Sequence, residues 1–293
     1  MEQQNRRRLL AGVLAALFAA MLGHRVLHTG HLEQSALFYV GLPAVIALTV
    51  ALVARPRSAL GVTMVTITIG LALSGPLLGE GIVCLVVAAP IFYFVGAVMV
   101  GVVHLIRKGT NAVVVPLLLL VALEGATEGT SLPREETVSV TRAHSGELAA
   151  ALAAPPVFGG YDSVFLRLGF PRPARVTGEG LQVGATREVV FDPRRSLGIG
   201  AVAEPRSMTL RVVSSSVPAD PAGSGRVVFA VERDTTLARW LDLRTAAFTW
   251  ADGRLTVSLD YRRTFDPAWY FGPVQRYAVG EAADYLASAF TRP

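Results

Sequence analysis

Between residues 9 and 106 the chain carries only five charged side chains, Arg25, Glu33, Arg55, Arg57 and Glu80, whereas 37 follow from Glu128 onward. A stretch so long and so poor in charge has too little polar surface to fold alone in water, while the remainder has the make-up of an ordinary globular chain. The division excludes a single soluble domain and, equally, a chain made only of membrane spans. The averages of 52% hydrophobic and 17% charged residues, with a mean hydropathy of +0.48, blend the two halves. The single cysteine, Cys84, lies inside an apolar run and excludes a disulfide scaffold.

Five apolar stretches occupy the first half, at residues 9–22, 36–54, 59–78, 82–106 and 112–123. About 20 helical residues cross the hydrocarbon of a bilayer, a length that the middle three reach and the outer two do not. Arg6–Arg8, Arg55 with Arg57, and Arg107 with Lys108 fall on every second connection. Alternating basic flanks predict about five transmembrane helices with a cytoplasmic N-terminus, and so an extracytoplasmic second half. The first stretch reads as an uncleaved span in preference to a signal peptide, because no small-x-small cleavage site is evident. Should residues 112–123, which contain Pro116, fail to cross, the second half is cytoplasmic.

The net charge of +5 is unevenly placed. Residues 1–125 hold eight Lys/Arg against four Asp/Glu, and residues 126–293 hold nineteen against eighteen. The basic excess thus sits beside apolar segments, and no basic stripe suits a nucleic acid. The 26 arginines to one lysine, Lys108, fit a GC-rich bacterial genome, hence a bacterial cell membrane. Ionisable groups fall at the ends of the apolar stretches, so no proton or ion pathway is expected. His24, His28 and His31 have helical spacing, with Glu33 following, which is the donor set of a metal site. Thr29-Gly30 interrupts that helix, and interfacial histidines are the preferred reading; no metal and no cofactor is expected.

Residues 126–136 read as a polar linker between a membrane domain (1–125) and a second domain (137–293). Alternation and breakers predict strands at residues 137–144, 174–179, 186–192, 207–214, 225–233, 245–250 and 255–264, with short helical pieces near 145–152 and 163–168. Asp252-Gly253 between two apolar runs is a hairpin signal, and Leu255, Val257, Leu259 and Tyr261 share one strand face. Beyond Asp266-Pro267, Val274, Tyr277, Ala278, Glu281, Ala282, Tyr285, Leu286 and Ala289 recur at helical spacing. Pro273 suggests a short turn before that main helical run.

The segment Ser258-Leu-Asp-Tyr-Arg-Arg-Thr-Phe-Asp-Pro-Ala-Trp-Tyr-Phe-Gly-Pro, leading into Gln275-Arg-Tyr-Ala-Val-Gly-Glu-Ala-Ala-Asp-Tyr-Leu, resembles the last strand and closing helix of membrane-attached START-like (SRPBCC, polyketide cyclase/dehydrase-like) helix-grip proteins. With the element order before it, the resemblance covers residues ~135–291. It implies an α+β helix-grip domain, an antiparallel sheet with a long C-terminal helix, and an apolar cavity between them. From the residues alone, only an α+β domain of that outline follows.

Phe248, Trp250, Tyr261, Tyr277 and Tyr285 are the candidate cavity or core residues, and Glu281 is the carboxylate best placed for acid chemistry if buried. Trp269-Tyr270-Phe271 reads either as a hydrophobic staple or as an interfacial anchor. No nucleophile elbow, phosphate loop or dinucleotide fingerprint is present. The expected function is to bind, sense or transfer a hydrophobic small molecule or lipid at the extracytoplasmic face of the membrane. The alternatives are a filled domain that contacts a membrane protein partner, and a cyclase- or isomerase-like enzyme.

Overall fold

A computed structural model describes residues 2–29, 42–54, 56–78, 82–107, 133–144, 146–167, 169–194, 204–218, 223–238 and 240–291. The described residues fall into two compact units, those within 2–107 and those within 133–291. The first contains helices α1 (Glu2–Thr29), α2 (Leu42–Val53), α3 (Ala59–Leu78) and α4 (Ile82–Arg107). Leu14, Phe18, Met21, Ala47, Ala51 and Ala72 form its small core. Tyr93 of α4 and Thr68 of α3 share a hydrogen bond of 2.7 Å. A Cβ on Gly96 would lie 2.5 Å from Ile67 Cδ1, so the missing side chain lets α4 approach α3 closely. Gly70 and Gly101 face open space and have no such role.

The expectation of about five spans is not supported by this unit. Among the described residues one helix, Leu85–Leu105, is long and apolar enough to cross a membrane, and none of it is buried within the protein. Arg8–Met21, Pro43–Val53 and Ala59–Ser74 are shorter apolar helices. Helix α2 is described from Leu42 onward, and residues 30–41 lie outside the described residues. The fifth stretch, 112–123, and the candidate ligands His31 and Glu33 lie outside the described residues; His24 and His28 fall on the last turns of α1.

The second unit is a seven-stranded antiparallel sheet in the order β1-β7-β6-β5-β4-β3-β2. Its strands are β1 (Glu135–Ala143), β2 (Pro173–Thr177), β3 (Thr186–Arg194), β4 (Glu204–Ser216), β5 (Gly225–Asp234), β6 (Leu241–Ala251) and β7 (Arg254–Arg263). Two short helices, α5 (Leu148–Ala153) and α6 (Val164–Arg167), lie between β1 and β2, and a long helix, α7 (Ala268–Thr291), ends the chain. Leu255, Val257, Leu259 and Tyr261 all point into the core, as their alternation requires. Asp252 (φ 49°) and Gly253 (φ 67°) make the tight turn that joins β6 to β7, so that Ala251 pairs with Arg254. Both are left-handed, as a two-residue hairpin with the sheet's natural twist demands.

Gly225 pairs with Trp250 across β5 and β6, and the indole lies against the bare backbone: a Cβ there would sit 2.2 Å from the ring. Gly225→Ala is therefore expected to displace a buried tryptophan and cost about 2 kcal/mol, read as a fall in melting temperature. Unchanged melting would mean that the ring has room to move. A second close arrangement surrounds Arg187 of β3. Its buried guanidinium donates to the carbonyls of Leu152, Ala153 (3.1 Å) and Gly180 (3.4 Å) and lies 5.1 Å from the Phe229 ring. It thereby satisfies carbonyls left open at the end of α5. Burial holds its pKa below the ordinary arginine value.

Helix α7 crosses the inner face of the sheet against β1 and β7, the arrangement that the resemblance implied. Its ridge of residues 272, 276, 280 and 284 follows β1. Arg276 meets Glu136 (3.2 Å), Gly280 faces Val138, and Asp284 takes two bonds from Arg142 (2.6 and 2.5 Å). Gly272, Gln275, Val279, Ala283, Ala287 and Ser288 are buried. That face is turned by about 100°, one residue, from the one read in the sequence. The helix is also unbroken through Pro273, with no separate turn before it.

Candidate functional site

Because α7 leans on β1 and β7, it does not itself cover the inner face of β2 to β4. Residues 155–172 cover that half instead, and a cavity of about 130 Å³ remains where the two covers meet. Val279, Ala282, Tyr285 and Leu286 of α7 form one wall. Val189, Phe191, Met208 and Leu210 of β3 and β4 form the opposite wall, and Leu243, Ala246 and Leu259 of β6 and β7 the floor. Phe158, Tyr161 and Phe170 come from the covering segment.

The cover is fastened by aromatic contacts and two hydroxyls. Tyr285 stacks on Phe158 at 5.7 Å and meets Tyr161 edge-on at 4.6 Å, and Tyr161 meets Phe170 at 6.5 Å. The Tyr285 hydroxyl donates to the Gly159 carbonyl (2.7 Å) and that of Tyr161 to the Pro171 carbonyl (2.6 Å). Among the described lining residues these are the only side-chain hydroxyls, amides or ionisable groups, and both donors are committed to backbone. Among the described residues the wall thus offers neither a carboxylate nor an imidazole for proton transfer, nor a free donor for an orienting bond. It offers hydrocarbon contact. A cavity of this size matches one benzene-sized moiety, below the ~300 Å³ at which whole ligands of ordinary size are enclosed.

Of the six residues singled out in the sequence, the cavity contains Tyr285 alone. Phe248 packs in the core between Phe229 (5.7 Å) and Phe290 (5.5 Å), and Trp250 covers Gly225. Tyr261 is fully buried, its hydroxyl donating to Glu136 at 2.9 Å. Tyr277 is 55% exposed on the outer side of α7, edge-on to Phe165 at 5.4 Å, and Glu281 is half-buried and does not line the cavity. The residues that sequence reading passed over are Phe158, Tyr161 and Phe170. Their signal is an aromatic-rich segment bounded by Pro155-Pro156 and Pro171-Arg-Pro173, too apolar for a solvated loop.

Burial, with Tyr285 alongside, pushes the Tyr161 phenol above its ordinary value of 10.0; burial and the bond to Glu136 do the same for Tyr261. The folded protein then keeps protons that the unfolded chain has lost. Stability from these groups is complete below about pH 10 and falls as pH rises beyond it, with a limiting slope of about 1.4 kcal/mol per pH unit for each phenol. Thermal melts at increasing alkaline pH are expected to decline less steeply for Tyr261→Phe than for the wild type. Parallel declines would show that the buried phenol is not what titrates.

No family model matches the chain, and the search of curated proteins gives no match. Solved structures similar to it include protein CV1439 from Chromobacterium violaceum, at 13% identity over 53% of this chain and 98% of that one, with a TM-score of 0.31. The major latex-like protein 151 of Panax ginseng is 12% identical over 51% and 97%, with a TM-score of 0.28. Protein Ms6760 from Mycobacterium smegmatis is 16% identical over 53% and 87%, also at 0.28. At scores this low the likeness carries no argument, and the fold rests on the strand order and the closing helix described above.

Proposed function

We propose that the β-sheet domain holds the hydrocarbon portion of a hydrophobic small molecule or lipid beside α7, at a membrane to which the N-terminal helices tether it. The observation that carries this reading is a cavity whose walls are apolar and whose two hydroxyls are already bonded to backbone. Such a wall gains from excluding water and has no group that rewards a polar guest. Its small volume means that a longer molecule inserts one end, or displaces the cover formed by Phe158, Tyr161 and Phe170. Tethering draws support from the spanning-length helix Leu85–Leu105, unburied within the protein, and from exposed Val86, Phe92 and Met99 on it. The alternating basic flanks favour an extracytoplasmic domain. A tether concentrates the domain at its source of apolar ligand.

The test is extraction and mass spectrometry of the full-length protein, purified in an amphipathic polymer without detergent. One hydrophobic small molecule recovered at close to one per chain, distinct from bulk lipid, is the expected result. Repeated recovery of bulk lipid alone contradicts it.

A further inference from the structure

Five aromatic rings gather at one end of the sheet domain and have no part in the cavity. Trp240 precedes β6, Phe265 joins β7 to α7, and Trp269, Tyr270 and Phe271 open α7. The rings form a connected series: Trp240 to Phe265 at 5.7 Å, Phe265 to Phe271 at 5.3 Å, Phe271 to Tyr270 at 5.0 Å and Tyr270 to Trp269 at 5.9 Å. Trp240 and Trp269 are 38% and 45% exposed, unusual for the largest apolar side chain.

Their backbone is firmly held. The Trp240 carbonyl accepts bonds from the Thr264 hydroxyl (2.6 Å) and from Gln275 Nε2 (2.5 Å), and Asp266 beneath them binds Arg134 and Arg263. The exposed rings therefore stand on a rigid platform. The chain also enters the domain at this end, where the Arg263 amide donates to the Arg134 carbonyl at 2.7 Å and Glu135 pairs with Arg262. It arrives there from α4, the helix of spanning length, through residues 108–132.

We propose that this aromatic platform docks on the headgroup region of the bilayer that holds α4, an inference that rests on the tethered reading above. Indole and phenol rings favour that region because they pair an apolar body with a polar edge. Several local charges are held in ion pairs within the domain, Arg134 and Arg263 with Asp266, Arg276 with Glu136 and Arg244 with Asp242, whereas Arg262 is exposed. The rings themselves suffice for docking on a zwitterionic bilayer.

The three tryptophans of the chain are Trp240, Trp250 and Trp269, all in this domain, and Trp250 is buried and shielded from a lipid-borne quencher. Quenching of tryptophan emission from the full-length protein in lipid nanodiscs thus reports on Trp240 and Trp269 of the platform. With a zwitterionic phospholipid brominated near the headgroup end of its acyl chains, emission is expected to fall. Bromine near the chain ends should quench less, and Trp269→Phe should remove most of the quenching at unchanged melting temperature. A chain that co-elutes with the discs but shows no quenching, or keeps all of it in Trp269→Phe, overturns the docking and leaves the tether intact. Unquenched emission that shifts with protein concentration points to a second copy on the platform and overturns it too. A chain that does not co-elute with the discs overturns docking and tether together.

Discussion

Ala282→Leu is expected to weaken the binding of an apolar guest by about 50-fold, because its three added carbons displace about three methylenes of ligand at roughly 0.8 kcal/mol each. Ala282 stands in the α7 wall of the cavity, and leucine is a good helix former there. The same substitution fills empty space and should raise stability by about 1 kcal/mol. The opposite signs of the two effects make the prediction sharp, since a general disturbance of the fold lowers both affinity and melting temperature. Titration of wild type and variant with parinaric acid in identical nanodiscs cancels the bilayer background and reads the affinity change. Equal affinities would place the guest elsewhere.

The largest effect on stability is expected from Asp266→Asn. Arg263 is 1% exposed, and its Nη1 bonds Asp266 Oδ1 at 2.8 Å while Arg134 holds the other carboxylate oxygen at 2.5 Å. Removing the negative charge leaves a buried guanidinium without its carboxylate, at a cost of about 3 kcal/mol. For a domain of this size that corresponds to a fall in melting temperature of roughly 10 °C. The exposed pair Arg244–Asp242, at a similar 2.7 Å, is the contrast: Asp242→Asn should change stability by less than about 0.5 kcal/mol. Burial, and not the length of the bond, separates the two. Equal effects from both substitutions would remove Asp266 as the fastening between β7 and α7, and with it the reason that α7 begins where it closes the cavity.

The strands were legible because half-buried sheet residues alternate. The run from Leu255 to Tyr261 and the Asp252-Gly253 turn placed β6 and β7 to within a few residues. The long helix was legible as an element but not by its buried face. Alanines at 278, 282, 283, 287 and 289 make several faces equally apolar, so periodicity could not tell Val279 and Ala283, which go inside, from Tyr277 and Glu281, which do not. The cavity was the least legible part. It arises where α7 ends its cover and residues 155–172 begin theirs, a tertiary consequence that no local pattern encodes. Tyr285 was found through its place on the helix, whereas Phe158 and Tyr161 belong to a segment without periodicity. The apolar first half announced itself by composition, but composition does not fix the length of each helix, and among the described residues only Leu85–Leu105 reaches spanning length.

The most direct measurement is photolabelling of the full-length protein in nanodiscs with a fatty acid that carries a diazirine near its chain end, followed by peptide mapping. Adducts concentrated on the peptides that contain Tyr161, Met208 and Leu286, and suppressed in Ala282→Leu, are the expected result. Labelling confined to α1–α4, with the sheet domain unmarked, would contradict a hydrocarbon guest beside α7.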